Sequence, residues 1–240
     1  MAASIPSDDT HTLTLRAAWW DEIADLLFEL GELDEALRIR VEEALPVFEK
    51  LGDVRSRAVT LGKIADIHMA RGELDEALRI RMEEALPVYE KLGDVRSRAV
   101  TLGQIADIHK ARGELDEALA LHEMRLPVAE QMGDIGGLAH ILYSRAQIRL
   151  QRGDHHDSGL QAIYEDLARA YAILVKLGRP DGIGAVGTLL AQMLAMGGLR
   201  SEALQVLETA EAAWRKIGQM QQVARVAELR QMIEGRGDGQ

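Results

Sequence analysis

The sequence predicts an all-α protein made of stacked helical hairpins, and three observations lead to this fold class. Residues 31–71 recur almost unchanged as 72–112, with four differences: Val41/Met82, Phe48/Tyr89, Lys63/Gln104 and Met69/Lys110. Glycines recur at regular intervals, and apolar residues recur at steps of three or four, without the alternation of a strand. A repeat of this length is typical of a solenoid, in which each hairpin buries its apolar face on its neighbours.

Two sets of glycines predict where the helices end, because glycine takes up the left-handed conformation that terminates a helix. First helices end at Gly31, Gly72, Gly113, Gly153 and Gly198, and second helices end at Gly52, Gly93, Gly133, Gly178 and Gly218. The spacing predicts eleven helices. The first helices are 12–30, 54–71, 95–112, 135–152, 181–197 and 220–234, and the second helices are 33–51, 74–92, 115–132, 157–177 and 200–217.

Local residue choices agree with these helices. One second helix carries an apolar stripe made of Leu33, Leu37, Val41, Ala44, Phe48 and Leu51. The acidic residues Asp34 and Glu35 lie in its first turn, where the helix dipole favours negative charge. The last helix opposes its apolar side with Gln221, Gln222, Arg225, Glu228 and Gln231, which gives the polar outer face that a solenoid end requires.

Prolines interrupt three of the second helices. Pro46, Pro87 and Pro127 lie inside them, where proline loses a hydrogen bond and clashes with the preceding turn. We predict a kink or a one-residue bulge just before each. The period of 41 residues in the first two hairpins, against 40 in the third, fits a π-type bulge there. Residues 154–163 add about four residues to the fourth hairpin, so its packing geometry is predicted to change.

Composition narrows the classes of partner. The net charge is −11, which argues against a general phosphate-binding surface and hence against nucleic acid. No apolar run is long enough to span a bilayer, and the first twelve residues lack the pattern of a signal peptide. The chain has no cysteine, which excludes disulfides and thiol nucleophiles. We therefore predict a cytoplasmic protein with no membrane partner.

Small residues recur where the paired helices must cross. They are Ala24, Ala65, Ala106, Ala146 and Ala191 in the first helices, and Ala36, Ala77, Ala118 and Ala203 in the second helices. Together with the glycines and the Gly-Glu-Leu-Asp-Glu-Ala-Leu segments, this pattern resembles the tetratricopeptide repeat (TPR) family, in its longer bacterial type of about forty residues. The resemblance implies a right-handed α-solenoid of five TPR-like helical hairpins plus a C-terminal capping helix.

The resemblance also implies a single solenoid domain over 12–234. Its repeats are about 12–52, 53–93, 94–133, 134–178 and 179–218, followed by a capping helix at 219–234. Residues 1–11 and 235–240 are predicted to be disordered. We call the hairpins repeats one to five.

The family binds partners along a groove lined by first helices, and the register gives the matching residues here. They are Asp21, Asp25, Phe28, Lys63, Asp66, Met69, Gln104, Asp107, Lys110, Tyr143, Gln147, Leu150 and Gln192. Asp25, Asp66 and Asp107 form a column that suggests a basic or hydrogen-bonding ligand. The alternative is that lysines and nearby arginines neutralise these aspartates. The family's clamp for C-terminal carboxylates requires asparagine, which the chain lacks.

Other candidate sites have simpler structural interpretations. Trp20 matches a packing position, whereas the adjacent Trp19 is either a hydrophobic anchor for a partner or part of a self-packed N-terminal cap. His68 and His109 recur one repeat apart and suit interhelix packing better than metal binding. The cluster 154–157 has the composition of metal ligands but lies at a turn. No catalytic residue, metal site or cofactor is predicted.

These observations predict a non-enzymatic scaffold or adaptor that binds a partner protein or peptide in the groove, as a monomer or weak homodimer. Two alternatives stay open at this point. One is a regulatory sensor that binds a small ligand near the irregular fourth repeat. The other is a structural module that associates with itself.

Overall fold

The computed structural model describes residues 10–235, and every regular element in that range is a helix. The eleven helices of this range are α1 (Thr10–Glu29), α2 (33–51), α3 (Val54–Ala70), α4 (74–92), α5 (Val95–Arg112), α6 (Leu115–Met132), α7 (Ile135–Arg152), α8 (Asp157–Leu177), α9 (Pro180–Met196), α10 (Arg200–Lys216) and α11 (Met220–Gly235). The all-α repeat fold is confirmed, and the helix ends agree with the predictions to within two residues. None of these helices is both long and apolar enough to cross a membrane.

The Leu-Gly-Asp segments end one helix and begin the next. Gly52 closes α2 with a φ of 66°, a left-handed conformation that costs glycine little. The next residue, Asp53, caps α3, because its Oδ1 accepts a hydrogen bond from the Ser56 backbone N–H at 3.0 Å. Gly93 and Asp94 repeat the arrangement before α5. Three consecutive residues therefore fix the turn between two repeats.

The predicted π-type bulges are present in α2 and α4. Helix α2 contains the π segment Arg40–Ala44, and α4 contains the π segment Ile80–Ala85. In the first of them the N–H of Leu45 bonds to the carbonyl of Arg40, five residues back. Helix α6 is α-helical through Pro127, so a bulge is wrong there, and the alternative of a kink at this proline stays a prediction. The π segments therefore accompany the extra residue of the 41-residue repeats rather than the proline.

The contacts divide the chain into two compact units, Met1–Leu121 and His122–Gln240. In the first unit, small core clusters form where α1 and α3 cross their second helices at Ala24, Ala36, Ala65 and Ala77, each 0% exposed. The second unit has one larger core, which contains Leu142, Ile163, Leu167, Leu190, Leu207 and Val226.

The domain limits stay a prediction. The segments 1–11 and 235–240, predicted to be disordered, lie outside the described residues except for Thr10, His11 and Gly235, which are helical. In repeat four, the extra residues form the turn before α8 and its first turns, and α8 is 21 residues long.

Candidate interaction surface on the first helices

Two buried arginines of the N-terminal unit contact a row of polar residues on the first helices. We call this the polar row; its members are Asp21, Asp25, Lys63, Asp66 and Gln104. Arg40 and Arg81 lie in the π segments of α2 and α4, and each is 1% exposed. A buried guanidinium requires acceptors, because an unpaired buried charge is costly. The acceptors come largely from the first helices that each arginine faces. The row of first-helix polar residues is thus tied to the second helices behind it.

In repeat one the arginine meets two carboxylates. Arg40 forms ion pairs with Asp25 and with Asp21, and its Nε donates to Asp21 Oδ1 at 3.4 Å. Lys63 of the next first helix donates to Asp21 Oδ2 at 2.5 Å and to Asp25 Oδ2 at 2.7 Å. Burial acts to lower the pKa of Lys63, but the two carboxylates outweigh it and raise that pKa. Two acids and two bases therefore balance each other.

In repeat two the arginine meets one carboxylate and an amide. Arg81 Nη2 donates to Asp66 Oδ1 at 2.5 Å and to the Gly62 carbonyl at 3.2 Å, and its Nη1 donates to Gln104 Oε1 at 2.5 Å. Burial lowers the pKa of Arg81, and Asp66 offsets only part of this effect. Within the described residues, Arg81 forms an ion pair with one carboxylate, whereas Arg40 forms ion pairs with two.

These contacts bear on the predicted acidic column. Asp25 and Asp66 are ion-paired within the fold, and the charge of Asp107 also acts on Arg81. The contacts favour the alternative in which nearby basic side chains neutralise the aspartates. The groove as a binding site stays a prediction.

Besides the contacts of Lys63 with Asp21 and Asp25, three of the predicted groove residues line one cavity. Lys63, Asp66 and Gln104, from two successive first helices, line a cavity of about 280 Å³ that Arg81 also lines. Phe28 and Met69 pack instead against core clusters of the same unit. Lys110 has an interaction of its own within the fold.

The remaining predicted groove residues belong to the C-terminal unit. Tyr143 and Leu150 pack against its core, and Gln147 interacts within the fold. Gln192 is exposed and lines a largely apolar cavity of about 350 Å³ with Met196 and Met232. A second cavity of about 410 Å³ lies against α8 of repeat four. It is lined by Asp157, Leu160, Gln161, Tyr164, Met193, Leu194, Met196, Gly197 and Leu199.

The adjacent tryptophans of α1 have different surroundings. Trp20 packs into two core clusters, whereas Trp19 is 69% exposed. Leu26 is also exposed on α1, although the matching residue of repeat two, Ile67, is 0% exposed and packs on the core of repeat one. The face that stacks in repeat two is therefore uncovered in α1 within residues 10–235.

The histidines link helices. His68 Nδ1 lies 2.5 Å from Glu73 Oε2, and His109 Nδ1 lies 2.6 Å from Glu114 Oε2, each joining a first helix to the start of its second helix. This agrees with the predicted interhelix packing role. Across the described range, no group of three or more histidine, aspartate and glutamate side chains could hold a metal ion.

The 154–157 cluster builds the entry of α8. Asp154 accepts two hydrogen bonds from Arg152, at 2.9 and 2.6 Å, which lower the pKa of Asp154. His156 caps the helix, because its Nδ1 accepts from the Gly159 N–H at 3.0 Å. Gly159 is required, since a Cβ there would lie 2.5 Å from the Asp154 carbonyl. These residues therefore have a structural role.

Sequence reasoning missed the buried arginines, although a signal was present. Arg40 follows Ala36 and precedes Ala44 by four residues each, and both alanines are 0% exposed. A residue with this spacing lies on the buried face of the helix. In the C-terminal unit a similar buried pair joins Arg149 to Asp166, and burial raises the pKa of Asp166 against the opposing effect of Arg145 and Arg149.

The repeated hairpins and their polar row define a helical-repeat protein. The tetratricopeptide repeat family model matches residues 56–131, and the solved structures below share the fold. Comparison with curated protein sequences finds no significant match.

Three solved structures illustrate the shared fold. A putative kinesin light chain of Podosopora anserina with nearly identical TPR-like repeats is 21% identical, with a TM-score of 0.63 over 84% of this chain and 96% of that one. A Rap protein complexed with Competence and Sporulation Factor is 16% identical, with a TM-score of 0.71 over 93% and 60%. The Rap conjugation gene regulator of plasmid pLS20, in complex with the Phr* peptide, is 17% identical, with a TM-score of 0.71 over 98% and 63%.

Proposed function

We propose that this protein is a non-enzymatic interaction scaffold that binds a partner protein or peptide along the first helices. One observation carries the proposal: Lys63, Asp66 and Gln104 come from two successive first helices and line one cavity. Polar side chains around a concave surface supply the few oriented hydrogen bonds that recognition requires. The Rap structures named above each hold a peptide or factor, which supports this class of function for the fold.

Site-specific photo-crosslinking tests this proposal. A photoreactive residue placed at Val59 or Val100, which are exposed and line the cavity, samples the first-helix surface. One placed at Glu42 or Glu83, on the exposed side of the second helices, is the matched control. In cells that express the protein, we expect the first-helix positions to crosslink to a common partner and the controls to give little of it. Equal crosslinking from both surfaces, or none from the first helices, would contradict the proposal.

A second candidate is a sensor for a small ligand at repeat four. The cavity of about 410 Å³ against α8, with both apolar and polar lining residues such as Leu160, Tyr164 and Gln161, favours it. A thermal-shift screen of metabolites separates the two functions. Stabilisation that Tyr164→Ala removes and Gln104→Ala leaves intact would support the sensor.

A further inference from the structure

A carboxylate present in repeat one is missing from repeat two. In repeat one, Asp21 accepts a hydrogen bond from Arg40 Nε. The residue 41 positions later is Gly62, which has no side chain to offer Arg81. Accordingly, Arg81 Nε is buried and has no hydrogen-bond partner within the described residues. The two arginines therefore differ in the acceptor for Nε, which is present for Arg40 and, in the described part of the chain, absent for Arg81.

The cavity of about 280 Å³ lies where that acceptor is missing. Gly62 and Arg81 both line it, and Arg81 is 1% exposed. The one carboxylate among the lining residues is Asp66, which already accepts from Arg81 Nη2. Arg40 also has one buried nitrogen without a partner, Nη1, but the corresponding atom of Arg81 is satisfied by Gln104. The vacant acceptor position at Arg81 therefore matches that of the Asp21 carboxylate.

A second difference adds a hydrogen-bond donor to the same cavity. Repeat one has Phe48 where repeat two has Tyr89, and Tyr89 lines the cavity. Burial raises the pKa of Tyr89, so its phenol keeps its proton and can donate at neutral pH. The exposed Arg96 also lines the cavity. Tyr89 and Arg96 therefore add hydrogen-bond donors to the cavity that Arg81 lines.

We propose that this cavity binds a carboxylate group of a ligand, in the position relative to Arg81 that the Asp21 carboxylate takes relative to Arg40. A buried donor without an acceptor is costly, and a charge-assisted hydrogen bond to a carboxylate is strong, so the site favours an acidic group over a neutral one. The volume suits one acidic side chain or a small carboxylic acid. This inference rests on the proposed function, for which it specifies the chemistry of the partner at one position.

Substitution of Gly62 tests the missing carboxylate without any ligand. Gly62 lies inside α3, and a Cβ there would be 3.7 Å from Arg81 Nη1, an ordinary contact, so small side chains fit. We expect Gly62→Asp to have a higher Tm at pH 7 than Gly62→Asn, which has the same size and no charge. Equal Tm values for the two variants would overturn the proposal.

Binding by the full chain tests the ligand. The probes are succinate and an acetyl-Gly-Glu-Gly-amide peptide, against sodium chloride at matched ionic strength and the corresponding Gln peptide. We expect a carboxylate probe to perturb backbone amide signals of residues lining the cavity, to bind about tenfold more weakly to Gly62→Asp, and to bind Gly62→Ala as it binds the wild type. Preference for the Glu peptide identifies an acidic side chain, and preference for succinate identifies a small acid.

Two binding results would overturn the inference: carboxylates that bind no better than chloride, or unchanged binding by Gly62→Asp. The inference and the proposed function fail separately. A partner that crosslinks to position 100 but binds Gly62→Asp as it binds the wild type removes the carboxylate site and leaves the scaffold. Probe binding that Gly62→Asp weakens, without a crosslinked partner, removes the scaffold and leaves the site.

Discussion

Arg81 joins the two helices of repeat two through Asp66, with Nη2 and Oδ1 2.5 Å apart. The arginine side chain is 1% exposed and the aspartate side chain is 40% exposed. The charge of Arg81 is shielded from water and is therefore compensated by Asp66, whereas Asp66 is partly solvated. A buried guanidinium that loses its carboxylate keeps its desolvation cost and loses the compensation.

The first prediction concerns this pair. We expect Asp66→Asn to lower the free energy of unfolding by about 2 kcal/mol, below the full cost of breaking a buried pair because Asp66 is partly solvated. Urea denaturation followed by circular dichroism measures it. Asp75→Asn is the control, since Asp75 pairs with Arg112 at 2.9 Å while its side chain is 92% exposed. Its cost should stay below about 1 kcal/mol; equal costs would contradict the assigned role of burial.

The second prediction concerns the caps of the first helices. Hydrogen bonds from Ser56 lower the folded-state pKa of Asp53. The resulting stability is present above the unfolded-state pKa of about 4 and is lost as the pH falls through the lower folded-state value. Asp53→Ala should cost about 1 kcal/mol at pH 7.

Asp53→Asn separates the cap from its charge, because asparagine caps a helix without titrating in this range. We expect its stability to change less between pH 6 and pH 3 than that of the wild type. Thermal unfolding at a series of pH values measures the difference. Identical pH profiles for the two proteins would show that the Asp53 carboxylate does not contribute.

The third prediction concerns the π segment of α4. Met82 lies in that segment and is 47% exposed, so deleting it should convert α4 into a continuous α-helix like α6. We expect a loss of less than about 2 kcal/mol, because the wide turn already absorbs one residue.

The matched control deletes Glu123 from α6, which has no wide turn to absorb the change. The deletion rotates the following residues by about 100°, since an α-helix has about 3.6 residues per turn. It thereby moves the buried Ala129 out of its core, so we expect a larger loss, about 3 kcal/mol or more. Urea denaturation of the two variants compares them. A larger loss from the Met82 deletion would contradict the role given to the π segment.

The fourth prediction compares the two tryptophans of α1. Trp20→Ala should lower the free energy of unfolding by about 2–3 kcal/mol, because Trp20 packs into two core clusters while remaining partly exposed. Trp19→Ala should change it by less than about 0.5 kcal/mol, since Trp19 is 69% exposed. Chemical denaturation measures both, and similar losses would mean that Trp19 also supports the fold.

The helices were predictable because their boundaries are encoded locally. Gly52 and Asp53 end one helix and cap the next within two adjacent residues, and the same pair returns as Gly93 and Asp94. The π segments were predictable from length alone, because a 41-residue repeat must place one more residue in a hairpin than a 40-residue repeat.

The polar network was not predictable in the same way. Asp21 and Asp25 of one first helix contact both Arg40 and Lys63, and this convergence depends on the distance between packed helices. The cavity beside Arg81 follows from the missing side chain at Gly62. From the sequence, a glycine inside a helix indicates only a low helix propensity. Its effect on a cavity can be inferred only when the neighbouring side chain is known.

The boundaries of repeat two have a consequence for evolution. Residues 53–93 contain Gly62, Arg81 and Tyr89 and begin and end with the same Leu-Gly-Asp junction. Tandem duplication of this segment would add a hairpin without altering any junction, but only the copy that directly precedes residue 94 would keep Arg96 and Gln104 as cavity residues. In the other copy, Lys63 would face Arg81 in place of Gln104. A single recombination event would therefore lengthen the solenoid while the number of complete cavities stayed the same.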